Sequence, residues 1–113
     1  LKQVHTSWNA HYITCLFSGG LLASIDSESS NSDIVLVSGG SDVFIGGACH
    51  GPFGPKWVWV DSTPFTYTNW CEESEGIPRI EKPCIRLSPT GYWYSECCGG
   101  EAKYPAVCMK IYT

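Results

Sequence analysis

The sequence predicts an α+β domain, with two helices packed on small antiparallel sheets, a long loop region and disulfide staples. Three observations carry that expectation. Trp8, Tyr12, Cys15 and Leu16 fall at i, i+4, i+7 and i+8, one apolar stripe of a helix. The stretch Lys56–Trp70, KWVWVDSTPFTYTNW, gathers Trp57, Trp59, Phe65, Tyr67 and Trp70 on either side of Asp61-Ser62-Thr63-Pro64, as an aromatic hairpin would. Seven cysteines stand among 113 residues, a density typical of secreted, disulfide-stapled folds.

Along the chain, Leu1 to Val4 reads as an extended lead-in, and Thr6 or Ser7 caps a first helix that begins near Trp8 and stops at Gly19-Gly20. Leu21-Leu22-Ala23-Ser24-Ile25 is a compact apolar run that docks this helix onto the rest of the domain. Asp26 or Ser27 caps a second helix with Ile34 and Val37 inward, intrinsically weak because of its β-branched residues, and Gly39-Gly40 ends it. Val43-Phe44-Ile45 reads as a buried strand and Ala48 to Pro55 as a loop leading into the aromatic hairpin. Trp57 and Trp59 share one face of that hairpin and belong mostly to the core.

After Trp70 the pattern changes. Cys71 to Pro83, CEESEGIPRIEKP, has no hydrophobic periodicity and two prolines, so it forms a long surface loop, the kind that carries function on a rigid scaffold. Cys84 to Leu87, a Ser88-Pro89-Thr90-Gly91 turn and Tyr92-Trp93-Tyr94 form a second hairpin. Glu96 to Lys103 is a further loop, and Tyr104 to Ile111 alternates around Val107, Met109 and Ile111 as a closing strand.

Composition excludes several functions. A net charge of -4 with scattered Lys and Arg offers no basic stripe for phosphates, which argues against nucleic acid. No apolar run is long enough to cross a bilayer. A start at Leu1 without Met or a basic-then-apolar leader points to a processed chain or an excised fragment, and secretion is inferred from the cysteines. Zinc fails on spacing: there is no C-x-x-C pair, and His5, His11 and His50 form no pair at ligand spacing. Cys49-His50 has no third residue to orient a base, and Cys97-Cys98 lacks the spacing of a redox motif, so no catalytic set is expected.

In this order the signals resemble the C-type lectin-like domain over essentially the whole chain, residues 1–113. The resemblance rests on Trp8, Ala10, Cys15, Gly19-Gly20 and Leu22-Ala23-Ser24-Ile25; on Phe44-Ile45-Gly46; on Trp59-Val60-Asp61-Ser62 with Tyr67-Thr68-Asn69-Trp70; and on Cys84, Trp93, Cys98 and Cys108. The family's opening strand is barely present, as if the N-terminus were trimmed. The resemblance implies the disulfides Cys15–Cys108 and Cys84–Cys98. Cys49, Cys71 and Cys97 are additions to the pattern. Cys49 and Cys71, on either side of the aromatic hairpin, are expected to meet at its base, leaving Cys97 as the odd thiol and a route to a covalent partner.

The family binds, most famously sugars through a calcium ion held by about six to eight oxygens. The ligands it implies are a Glu-Pro-Asn or Gln-Pro-Asp triplet, a further Glu, and an Asn-Asp pair after the Trp. Here Ser74-Glu75-Gly76, Lys82 and Tyr94-Ser95 stand in those places. An ammonium repels a dication, and a hydroxyl and a glycine do not replace carboxylates, so no cofactor is expected and the usual sugar site is lost. Glu72, Glu73, Glu75 and Glu81 leave the loop acidic, which reads as a solvated face before it reads as an ion site. The expectation is an extracellular recognition module, not an enzyme. It contacts a protein or other ligand without calcium through Glu75, Arg79, Lys82, Arg86 and Tyr94. The alternatives are a lectin with an altered glycan site and a structural or assembly unit.

Overall fold

Ser7 starts the first helix, α1 (Trp8–Phe17), its side chain accepting the Ala10 N–H at 3.1 Å in the computed structural model, which describes residues 4–110. Of the expected lead-in only Val4 lies among them, and Ile111 lies outside. Trp8 and Cys15 are buried and Tyr12 stacks on Trp8, but Leu16 is 46% exposed. The inward arc is instead Trp8, His11, Tyr12 and Cys15: at about 100° per residue Leu16 falls past its edge. His11 takes the place on the other side, its Nε2 lying 2.7 Å from the Tyr104 carbonyl.

Ser27 caps the second helix, α2 (Glu28–Ser38), in a reciprocal arrangement with Ser30, and Gly39 closes it in the left-handed conformation at φ 65°. Ile34 and Val35 pack on the core, whereas Val37 is 66% exposed, contrary to expectation. The buried arc runs through Asn31, Ile34, Val35 and Ser38, and two of its members are polar, so an apolar stripe could not reveal it.

Two sheets complete the frame. β1 (Gly20–Leu22) pairs antiparallel with the last strand, β6 (Cys108–Lys110). The larger sheet has the order β3-β2-β4-β5, all antiparallel, from β2 (Val43–Ala48), β3 (Val58–Trp59), β4 (Cys84–Leu87) and β5 (Trp93–Glu96). β2 is longer than expected and shifts register between Ile45 and Ala48, where the two glycines lie. A Cβ on Gly46 would stand 2.6 Å from the Leu22 carbonyl oxygen and one on Gly47 would overlap the Ile85 side chain, so only glycine lets β1 and β4 close on this strand. Val43, Ile45, Trp59, Ile85, Leu87 and Trp93 form the main core under α2, and Trp8, Cys15, Leu22, Phe44 and Cys84 form a second layer under α1.

The second hairpin is as expected, β4 turning into β5. The first is not a hairpin. β3 pairs with β2, and residues 60–69 contain no strand. Asp61 explains the departure: its Oδ1 accepts the Thr63 N–H at 2.9 Å and its Oδ2 accepts the Ser24 hydroxyl at 2.5 Å, while Ser62 sits at φ 69° just before Thr63-Pro64. That turn sends the return arm away from β3, and Phe65, Tyr67 and Trp70 converge on Trp93 instead. The closing strand is also shorter than its alternation, because Pro105 interrupts it. Tyr104 bridges Thr6, Ala106 bridges Phe44, and only Cys108–Lys110 continue as β6, with Val107 buried and Met109 exposed. Both long loops hold a single 3₁₀ turn, Gly51–Phe53 and Glu73–Gly76.

The disulfides Cys15–Cys108 and Cys84–Cys98 are formed, with Cα–Cα separations of 5.8 Å and 5.5 Å. Cys49, Cys71 and Cys97 are free thiols, which corrects the expected pairing of Cys49 with Cys71. Cys49 lies just beyond β2 and its N–H donates to Pro83, whereas the Cys71 N–H donates to Trp93 on the outer edge of β5; β4 and β5 stand between them. Burial pushes the Cys49 thiol up in pKa, opposed only in part by the Arg79 backbone. A thiol reagent added to the folded protein is therefore expected to label the half-buried Cys71 and Cys97 and to leave Cys49 untouched until denaturant is added. Mass mapping of labelled peptides checks this, and labelling of Cys49 as fast as Cys97 would contradict the assignment.

Candidate functional site

The long loop is pinned from both sides. Trp57 Nε1 donates to the Gly76 carbonyl at 2.8 Å, and Trp70 lies so close to Gly76 that a Cβ there would stand 2.6 Å from its Nε1. Trp57 and Trp59 are thus core residues, as expected, and Trp57 also holds the loop. From the 3₁₀ turn, Glu75 Oε1 accepts both the backbone N–H and the hydroxyl of Ser95, at 2.9 and 3.0 Å. Arg79 Nη2 donates to the same Ser95 Oγ at 2.9 Å. Further along, the Cys97 thiol donates to the Glu81 carbonyl at 3.3 Å.

Ser95 is therefore the hub that joins a carboxylate and a guanidinium of the loop to β5. Ser74-Glu75-Gly76 and Tyr94-Ser95 are the positions that, by the family resemblance, stand where ion ligands would be. In their place are one carboxylate, already bonded twice to Ser95, and a fixed positive charge that opposes a dication. Ser74 and Lys82 are exposed and neither joins the hub. No group of three or more His, Cys, Asp or Glu side chains among the described residues is placed to hold a metal ion. The guanidinium ties the loop to β5. Arg79→Ala is expected to loosen residues 72–83 by about 1.5–3 kcal/mol, the worth of a hydrogen bond to a charged group. Amide hydrogen exchange in the loop would rise with little change elsewhere, and unchanged loop protection would contradict the role.

Strand alternation separates the remaining candidates. Arg86 and Tyr94 are cross-strand partners on β4 and β5, on the face opposite Ser95. Arg86 lies 4.3 Å from the Tyr94 ring centre and 5.4 Å from that of Tyr104, and bonds Glu96 at 2.8 Å and Asp42 at 3.1 Å. Burial opposes its charge, but the Glu96 hydrogen bond and the neighbouring carboxylates more than offset this, so its pKa is raised further. A hydrogen bond with the Cys71 thiol, foremost, raises the pKa of Tyr94. The five candidate residues thus fall into a Glu75–Arg79 pair at Ser95, an Arg86–Tyr94 pair on the other face, and Lys82 exposed in the loop. In the sequence Ser95 stands only as a replacement for an ion ligand, and its part in joining Glu75 and Arg79 follows from the hydrogen bonds between β5 and the loop. His50 Nε2 is buried without a hydrogen-bond partner among the described residues.

Two helices over two antiparallel sheets, two disulfides and a loop clasped to the second hairpin define a C-type lectin-like fold. Residues 4–110 match the family model of the lectin C-type domain, and the chain belongs to that family. It is 33% identical over 109 residues to the secretory phospholipase A2 receptor of Mus musculus, covering 92% of this chain but 7% of the receptor. It is 35% identical over 89 residues to a type-2 ice-structuring protein of Osmerus mordax, covering 76% of this chain and 48% of that one. A calcium-independent type II antifreeze protein shares the fold, with a TM-score of 0.76 at 24% identity over 94% of this chain and 84% of that one. The chain spans about 7% of the length of the receptor it matches.

Proposed function

We propose that this domain is a non-enzymatic, extracellular recognition module that binds a protein ligand without calcium. The observation that supports the reading is the Glu75–Ser95–Arg79 hub, which joins residues standing where, by resemblance, the family's motif would supply its ion ligands. A loop already closed by its own side chains needs no ion to hold its shape. Lys82 is exposed on that loop, and Tyr94 with Arg86 forms a half-buried aromatic–guanidinium pair of the kind enriched in protein interfaces. The similarity to a receptor whose name specifies a protein ligand supports the same class of partner. A glycan array run with and without chelator tests the reading: no calcium-dependent signal is expected, and saturable binding of a glycan that chelator abolishes would overturn it.

One observation favours a second ligand class. Between Asp61 and Trp70 exposure alternates, with Ser62, Pro64, Thr66 and Thr68 outward and Thr63, Phe65, Tyr67 and Asn69 half-buried. A row of outward hydroxyls on an aromatic base suits a solid, ordered surface, and ice is the surface named for the Osmerus mordax relative. Thermal hysteresis lost on Thr66→Lys would establish that reading, and its absence in the intact domain would dismiss it.

A further inference from the structure

Charge is divided unevenly along this chain. Lys2 and Lys56 are separated by a stretch without Lys or Arg that holds Asp26, Glu28, Asp33 and Asp42. Asp42 is neutralised by Arg86, but no ion pair reaches Asp26, Glu28 or Asp33 among the described residues. Three carboxylates without a described ion partner thus lie on or just before α2, and an open groove of about 760 Å³ lies between α2 and the β4–β5 turn. Glu28 is its only charged lining residue. On the rims Leu36 is 80% exposed and Tyr92 47% exposed, two large apolar side chains facing water across a groove.

The groove is preformed. Asn31 Nδ2 and Asn69 Nδ2 both donate to the Gly91 carbonyl, at 3.0 and 2.6 Å, and Asn31 Oδ1 accepts the Trp93 indole N–H at 2.8 Å. Its floor is thus tied to the centre of the core, and little ordering remains to be done on binding. Burial first and the neighbouring Glu28 carboxylate second raise the Tyr67 phenol above its ordinary pKa, so it lines the groove as a neutral hydroxyl. A long cationic side chain matches this lining: its aliphatic stem lies along apolar walls while its head reaches a carboxylate, and an aromatic rim adds attraction for the cation.

We propose that this groove docks a cationic, amphipathic segment of a partner protein, with a Lys or Arg head group on Glu28 and an adjacent apolar side chain between Leu36 and Tyr92. The inference rests on the protein-recognition reading and adds to the long loop a second contact surface on the α2 side. The test is an NMR titration of the whole domain with a capped Leu-Arg-Phe-Lys peptide and its Leu-Glu-Phe-Glu counterpart. The basic peptide is expected to shift the amide signals of Glu28, Ser32, Leu36 and Tyr92 saturably, and the acidic one is not. Glu28→Gln should weaken binding by up to about fivefold, the range of an exposed charge pair. Tyr92→Ala should weaken it by about tenfold, and about 0.5 M salt several-fold. Glu28 and Tyr92 are exposed, so these variants keep the fold. Equal binding of both peptides, or no shift at about 5 mM peptide, overturns the groove. Shifts confined to residues 72–83 overturn it while sparing the protein-recognition reading, and groove or loop signals moved only by methyl mannoside overturn both.

Discussion

Trp93→Ala is expected to cost about 4–5 kcal/mol, at the top of the range for deleting a buried aromatic side chain. Trp93 is fully buried, and four aromatic rings surround it: Trp59 and Trp70 at 5.5 Å, Tyr67 at 5.9 Å and Phe65 at 6.1 Å between centroids. Each of these partners belongs to the segment Lys56–Trp70, so the indole is the post around which that irregular segment is wound. Removing it opens a cavity among rings that cannot all move inward, and strands the Asn31 Oδ1 that accepts the indole N–H. Urea denaturation followed by far-UV circular dichroism measures the loss. Trp93→Phe, which keeps a ring but not the N–H, should cost clearly less. A loss under about 1 kcal/mol for the alanine variant would mean that the aromatic cluster is not the core's centre.

The joint replacement Cys15→Ser with Cys108→Ser should cost a similar amount. The bond joins residues 93 apart in sequence and ties α1 to β6. In the chain-entropy model a loop of this length contributes about 4.7 kcal/mol, against about 3 for the Cys84–Cys98 loop, with its separation of 14. Against a total stability of about 5–15 kcal/mol, losing the longer bond places the domain near unfolding at 37 °C. Equilibrium denaturation of the two double variants, side by side, gives the order. A larger loss from Cys84→Ser with Cys98→Ser would show that native-state packing, rather than the unfolded chain, dominates.

Much of this architecture was legible because the relevant signals are local. Ser7 and Ser27 announce the helix starts, Gly39 the end of α2, and the Ser88–Gly91 turn the β4–β5 hairpin. The misreadings share one cause, which is side chains whose partners lie far away in sequence. Leu16 and Val37 fit a stripe on paper, but His11, Asn31 and Ser38 take the inward places through bonds or burial that an apolar pattern does not register. The aromatic hairpin failed because Asp61 is bonded to Ser24, 37 residues upstream, and that contact sets the turn. Residue types singled out Glu75 and Arg79 as candidates. The identity of Ser95 as their shared partner, and the opposite facing of Tyr94, depended on strand pairing.

Calcium is the decisive variable for the account as a whole. An ion that binds only the folded state stabilises it by RT ln(1 + [L]/Kd), about 2.7 kcal/mol at a hundredfold excess over Kd. For a domain of this size that is an upward shift of about 10 °C or more in Tm. Because the Arg79 guanidinium and a hydrogen-bonded Glu75 occupy the loop–β5 junction, thermal melts in millimolar calcium and in chelator should coincide within ionic-strength effects. A saturable rise of Tm with calcium that disappears in Glu73→Gln or Glu75→Gln would contradict the account, since the acidic loop would then hold an ion of its own.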